Sequence, residues 1–257
     1  MLKATDIHYH IGSKKILQGI TTDFEPGLFH VIVGPNGSGK STFLKIFSGE
    51  LKPREGTISY NGENILHITK MQLAKQRAVM SQEPELHFPL MVSEVVMMGR
   101  YPHFGFKPGK EDEVICKHAM MLADVMQFAD RDYLTLSGGE KQRVHFARVL
   151  AQIGGREKTG KYLFLDEAVS HLDLKHQRQL LHITKKFCDK NFTAIVILHD
   201  INLSLAFADR ILFMKEGRIA YETKDHSEVS TDIIKDVFDV DSRIIDPGNG
   251  HKPVVVF

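Results

Sequence analysis

The sequence predicts an α/β fold with an N-terminal β region and a helical subdomain inserted into the core. Three observations carry this. The first sixty residues read as strands and turns, "GPNGSGKST" at Gly34 to Thr42 lies between a short apolar run and a helix, and from about Ser93 to Phe128 helical spacing continues without a strand. No repeat, low-complexity tract or linker divides the 257 residues. Residues 1–257 are therefore expected to form one domain, with the helical insertion at about 88–150 and a tail at about 223–257.

Taken in order, "LKATDIHYHI", "KKILQGITTDF" and "GTISYNG" carry β-branched and aromatic residues between turn residues, as strands do. "LFHVIVG" is a nearly continuous apolar run ending in glycine, the pattern of a buried parallel strand. "KSTFLKIFSG" reads as a helix stopped by Gly49. "VSEVVMMGR" and "EDEVICKHAMMLADVMQF" have helical spacing, and "EKQRVHFARVLAQI" places Val144, Ala147 and Ala151 on one helix face. "KYLFLDE", a helix near Lys175 to Cys188, and "TAIVILHD" alternate as strand, helix and strand. "RILFMKEGRIAYE" turns at Glu216–Gly217 and reads as a hairpin. "STDIIKDVFDV" reads as a helix before the closing "PVVVF".

Composition narrows the function. A formal charge of +1 lacks the basic excess of a nucleic-acid footprint. Cys116 and Cys188 are far apart and form no metal or redox motif. No apolar stretch near Met1 reads as a leader, and no run reaches the roughly 18 residues of a membrane span, so a membrane role is expected to come through partners.

Gly34, Gly39, Lys40 and Ser41 satisfy G-x-x-x-x-G-K-[ST] between a strand and a helix. Glycines there let backbone N–H groups face phosphates, and the helix N-terminus adds partial positive charge. Lys40 is expected to reach the β- and γ-phosphates and Ser41 to ligate Mg²⁺. "GREKTGKY" (155–162) nearly repeats the spacing but follows a helix and puts Tyr162 at the hydroxyl position, so it is expected to be a loop. "YLFLDE" ends a buried strand in Asp166, expected at Mg²⁺, and Glu167, placed to polarise the attacking water. His199 closes the next strand at the same edge and is expected beside the γ-phosphate.

A second glycine pair, "LSGGEKQR", also opens a helix, so Ser137, Gly138 and Gly139 can offer N–H groups and a hydroxyl to a phosphate. No strand precedes it and no lysine reaches back. Such a half-site makes sense if it completes the nucleotide site of another copy, or it is a plain helix N-cap.

"GPNGSGKST", "LSGGEKQR", "LFLDEAVSHLD" and "LHD" resemble, in this order, the Walker A, signature, Walker B with D-loop, and switch-histidine motifs of ABC-transporter ATPases. The resemblance spans essentially the whole chain. It implies a P-loop NTPase of the ABC type, with a mixed β core and an N-terminal antiparallel β subdomain, that binds ATP and Mg²⁺. Gly34, Pro35, Asn36, Gly37, Ser38, Gly39, Lys40, Ser41 and Thr42 would hold one nucleotide, and Ser137 to Glu140 (Ser137, Gly138, Gly139, Glu140) would contact the partner's. Gln82 would be the Q-loop residue at the metal, Asp173 would act across the dimer, and Tyr9 or Ile11 would pack on the adenine. Ala168 and Val169 stand where the family has Pro-Thr, so altered loop rigidity with retained hydrolysis is expected.

"QRAVMSQEPELHFPLMVSEVVMMGR" and "DRDYLTLSGGEKQRVHFARVLAQ" are similar to the haem-importer ATPases of the HmuV type. That similarity implies a homodimer on two membrane permease subunits at the cytoplasmic face of the inner membrane, served indirectly by an extracytoplasmic haem-binding protein and acting without nucleic acid. Ferric-siderophore or cobalamin import is the nearest alternative, followed by a soluble ABC ATPase outside transport. Met91, Met97 and Met98 suit either an adaptable contact surface or a core stripe. The fourteen histidines are scattered, and only His8 and His10 share an expected strand face.

Overall fold

The computed structural model describes residues 1–81, 86–155, 160–170, 172–189, 192–248 and 252–257. The chain forms two compact units, Met1–His67 with Thr193–Phe257, and Ile68–Phe192. In chain order, β1 (Leu2–Ile11), β2 (Lys14–Phe24), β3 (Phe29–Val33), α1 (Lys40–Phe47), β4 (Glu55–Tyr60) and β5 (Glu63–Asn64) open the first unit. The second holds α2 (Lys70–Gln76), β6 (Arg77–Met80), α3 (Val92–Met97), α4 (Lys110–Leu122), α5 (Gly138–Ile153), β7 (Lys161–Asp166) and α6 (Leu174–Cys188). The chain then returns to the first unit with β8 (Phe192–Ile197), α7 (Ile201–Phe207), β9 (Arg210–Lys215), β10 (Arg218–Thr223), α8 (Thr231–Phe238), β11 (Arg243–Ile245) and β12 (Val254–Val256).

In the first unit one sheet is antiparallel, in the order β2-β1-β4-β5. Beside β3 in the other sheet run β8 and β9, both parallel to it, and β10 pairs antiparallel with β9. Flanked on both edges, β3 is buried along its whole length, which is why it reads as an unbroken apolar run. Phe43 and Phe47 of α1 stack at 4.2 Å, and Phe24 of β2 meets Phe47 edge-on at 5.3 Å. Aromatic packing of this kind fixes the helix that follows the glycine loop. The buried Arg210 guanidinium donates to Asp23 O and Thr22 Oγ1 and pairs with Glu222 at 2.6 Å, so β2, β9 and β10 share one cation.

In the second unit β6 and β7 pair in parallel from Arg77↔Tyr162 to Met80↔Leu165. Val144, Ala147 and Ala151 of α5 are fully buried, as their spacing predicts. The C-terminus of α5 is held by Arg100, which pairs with Asp112 at 2.9 Å and donates to Ala151 O and Gly154 O at 2.8 Å each. Those carbonyls have no partner inside their helix.

Several expectations need adjustment. The helix expected through Phe128 ends at Leu122, because Asp124 takes a left-handed φ of 55° and Val125 N donates to Met120 O while Asp124 N donates to Met121 O. This is the paired-bond helix ending usually built on glycine. α2, β6, α7 and β11 have no counterpart in the sequence reading. His199 lies two residues beyond the end of β8 rather than closing it. Register shifts at Ile7/His8 and Tyr9/His10 break the alternation that would put His8 and His10 on one face. His8 bonds Asp6 at 3.0 Å and His10 bonds Gly12 O at 3.1 Å. The methionines divide: Met91 is exposed, whereas Met97 is half-buried with its sulfur 3.8 Å from Cys116 Sγ.

Two histidines sit in these cores uncharged. Burial pushes His30 of β3 down to about 4 and His145 of α5 down to about 3. Both bind a proton more readily when unfolded, so their stability contribution is full above about 6.5 and is lost as pH falls toward the folded values. Each is worth up to about 1.4 kcal/mol per pH unit across that window. The melting temperature is therefore expected to fall from pH 7 to pH 5, and His145→Gln to flatten the slope. A melting temperature that holds steady across that range would contradict the burial argument.

Candidate nucleotide site

The loop after β3 is shaped by backbone crowding. A Cβ on Gly34 (φ 153°) would lie 2.2 Å from Met214 O of β9, and one on Gly39 (φ 99°) 2.9 Å from Ile16 O. Only glycine lets the chain pass so close in these conformations. The β9–β10 turn closes the loop from below, since Gly217 N donates to Ser38 O at 3.0 Å and Gln18 N donates to Gly217 O at 2.9 Å. Lys40 spans the loop, its Nζ donating to Gly34 O at 2.8 Å and Pro35 O at 3.0 Å. Ser38 is buried, and its Oγ has no hydrogen-bond partner among the described residues. A cationic amine and an unused hydroxyl in a glycine cradle at a helix N-terminus fit a phosphate chain. Ser41, the second residue of α1, supplies the hard oxygen a magnesium ion prefers.

Within the same unit, His199 is exposed and lines a cavity of about 430 Å³ with Gly34, Pro35 and Asn36. The structure thus brings the histidine to the loop, because β8 runs parallel to β3 and both release their chains at the same edge. Asp200 caps α7 through Asn202 N and Leu203 N at 2.7 and 3.1 Å. Tyr9 is half-buried with the Arg54 guanidinium 5.9 Å over its ring, whereas Ile11 at the end of β1 is 63% exposed.

The remaining candidates lie in the second unit. Asp166 ends β7 and is buried. Glu167 follows with φ 53°, a conformation costly for a residue with a Cβ. Ser170 closes the turn, its N and Oγ donating to Glu167 O at 3.1 and 2.9 Å. Ala168 and Val169 are both buried. Asp173 caps α6 through His176 N at 2.9 Å and accepts from His176 Nδ1 at 2.8 Å, bonds that hold its carboxyl below the usual range. At the start of α5, Ser137 and Glu140 form a reciprocal capping box, with Ser137 N and Oγ each donating to Glu140 Oε2 at 2.7 Å. Hydrogen bonds from the Ser137 side chain and backbone lower the Glu140 carboxyl. A Cβ on Gly138 would meet nothing within 4 Å. Gln82 lies outside the described residues, as do 156–159 of the near-repeat at 155–162, whose last two residues begin β7 rather than continuing a loop.

Gln142 belongs to the site although no motif assigns it a role. This buried amide of α5 donates from Nε2 to Ala168 O at 2.6 Å and so ties the helix to the peptide after Glu167. Its signal was present: Gln142 precedes buried Phe146, Val149 and Ile153 by 4, 7 and 11 residues, so a polar group occupies an apolar face. The Glu216–Gly217 turn, marked in the sequence only as a hairpin turn, also supports the loop, through Gly217 N to Ser38 O.

A family model described as ABC transporter matches residues 17–170. The chain belongs to the ABC transporter family. The hemin import ATP-binding protein HmuV of Mesorhizobium japonicum is 42% identical over 100% of this chain and 98% of its own length. Among solved structures, a dimeric bacterial ABC transporter cassette aligns at TM-score 0.76 and 27% identity, covering 87% of this chain and 98% of that one. The same cassette in a post-hydrolysis state with ADP and Pi aligns at TM-score 0.75 and 26% identity over the same shares. Membership makes this ABC chain an ATPase coupled to transport. The family also accounts for the antiparallel N-terminal sheet beside the P-loop strand.

Two substitutions test the geometry. Gly34→Ala should cut ATP binding at least about tenfold, since its methyl group strikes a backbone carbonyl; retained binding in a fluorescent-nucleotide titration would show that the loop shifts freely. Gln142→Leu leaves Ala168 O buried and unpaired, a cost of about 1–3 kcal/mol. Its kcat is expected to drop about tenfold with KM for ATP within about twofold. Unchanged kcat would show that the turn at Glu167 holds without the amide.

Proposed function

We propose that this chain is the ATP-hydrolysing subunit of a haem importer, working as a homodimer bound to two membrane permease subunits on the cytoplasmic face of the inner membrane. The observation that carries the enzymatic half is the convergence of the P-loop and His199 on one cavity, with Lys40 bridging the loop. The haem cargo rests on the full-length likeness to a hemin import ATP-binding protein. No helix among the described residues is long and apolar enough to cross a membrane, so the attachment is peripheral on this reading. An extracytoplasmic haem-binding protein would deliver the cargo to the permease.

On this reading Gly34 to Thr42 bind the phosphates, and Lys40 exchanges its carbonyl partners for the β- and γ-oxygens. Ser41, Asp166 and Gln82 would hold Mg²⁺, which neutralises charge on those oxygens when bound. Glu167 accepts the proton of the attacking water, and His199 orients the γ-phosphate. Ser137 to Glu140 and Asp173 serve the nucleotide of the partner subunit, and Tyr9 or Ile11 carries the adenine.

The test combines chemistry and cargo. Glu167→Gln should bind ATP normally and hydrolyse it about 10²–10⁴-fold more slowly, the range for loss of a general base. In cells lacking the protein, labelled haem uptake should return with the wild-type chain and fail with Glu167→Gln. Normal turnover by that variant would overturn the assignment of the base. Haem uptake indifferent to the protein would leave the ATPase standing and remove the cargo.

A further inference from the structure

The rim of the P-loop cavity is apolar and outward-facing. Phe257 and Val240 line the cavity with Pro35 and Asn36, yet are 68% and 41% exposed. The β11–β12 ribbon extends this surface. Val255 is buried, so its neighbours Val254 and Val256 face outward, and Ile245, opposite Val254, is also exposed. Five large apolar residues in one short tail exceed the scattered exposure that needs no explanation. The ribbon is firmly attached: Asn202 of α7 donates from Nδ2 to Val255 O at 2.9 Å and accepts from Val255 N at 2.8 Å. Beside Val240 stand the exposed carboxylates of Asp239 and Asp241, which share the single ammonium of Lys235 at 3.6 and 3.2 Å.

We propose that this rim is the seat of a second copy of the chain, receiving the start of α6, with Leu174 of the partner subunit packed on Val240 and Phe257. The inference rests on the dimer reading above and extends it to a surface outside the nucleotide motifs. Two observations choose the occupant. The first is continuity: on the dimer reading Asp173 of the partner subunit reaches the nucleotide held by the P-loop, so the residue after it arrives at the rim of the same cavity. Leu174 is 68% exposed at the first position of α6. The second is charge: Lys175 follows it and is exposed, opposite in sign to the under-compensated Asp239 and Asp241. Complementary potentials of this kind fix register at an interface.

The experiment pairs Leu174→Cys with Phe257→Cys in the otherwise native chain, where Cys116 and Cys188 are 3% and 2% exposed and give little background. With Mg²⁺ and a non-hydrolysable ATP analogue, mild oxidation should yield a covalent dimer on a non-reducing gel. Either single variant, or the pair without nucleotide, should yield at least about fivefold less. In parallel, the uncharged Val240→Ser/Phe257→Ser should weaken nucleotide-driven dimerisation at least about tenfold by analytical ultracentrifugation, read at an analogue concentration that saturates the variant in a fluorescent-nucleotide titration. If the wild-type chain dimerises with nucleotide but the cysteines do not cross-link, or the serines leave dimerisation intact, the seat is wrong and the ATPase reading is untouched. If the wild-type chain stays monomeric at every nucleotide and protein concentration tried, the dimer reading fails and takes this inference with it.

Discussion

Backbone pressed against backbone at the P-loop is the constraint on which the rest of the first unit depends. Gly34 passes beneath the Met214 carbonyl of β9, Gly39 beneath that of Ile16, and Gly217 would strike Ile16 O at 2.3 Å if it carried a Cβ. Three segments far apart in sequence thus meet where no side chain fits, and the hydrogen bond from Gly217 N to Ser38 O locks them together. A loop supported on its underside by fixed peptides can turn its own N–H groups to the open side. Preorganisation of that kind removes the ordering cost a flexible anion site would bear at every binding event. The buried strand β3 and the stacked phenylalanines of α1 serve to hold this crossing still.

The second unit solves a different problem, the placement of a strained carboxylate. Glu167 lies in the left-handed region, and the surrounding contacts hold it there: Ser170 from ahead and Gln142 through the next peptide. Because Gln142 sits one turn into α5, the helix opened by Ser137 and the turn at Glu167 are parts of one hydrogen-bonded assembly. The buried Ala168 and Val169 pack within the same turn.

Much of this was legible in the chain because the relevant signals are local. The P-loop announces itself by glycine spacing, β3 by its apolar run, α5 by Val144, Ala147 and Ala151, and the β9–β10 hairpin by Glu216–Gly217. What escaped depends on contacts between distant segments. β6 is four residues long and gains its strand character only by pairing with β7. The stop at Leu122 falls on Asp124 rather than a glycine, so no composition cue marks it. Gln142 was visible as a polar residue on an apolar face, but its partner, a backbone carbonyl, has no sequence signature. Gln82 lies outside the described residues.

The grip of Asn202 on Val255 has a consequence for how the tail can change over time. A carboxamide that donates to a carbonyl and accepts from the N–H of the same residue reads an extended backbone and ignores the side chain it carries. The attachment therefore demands an amide at 202 but makes no comparable demand on the composition of 254–257. Substitutions on the outer face can accumulate without detaching the strand, and the surface it presents is free to drift in step with whatever it touches.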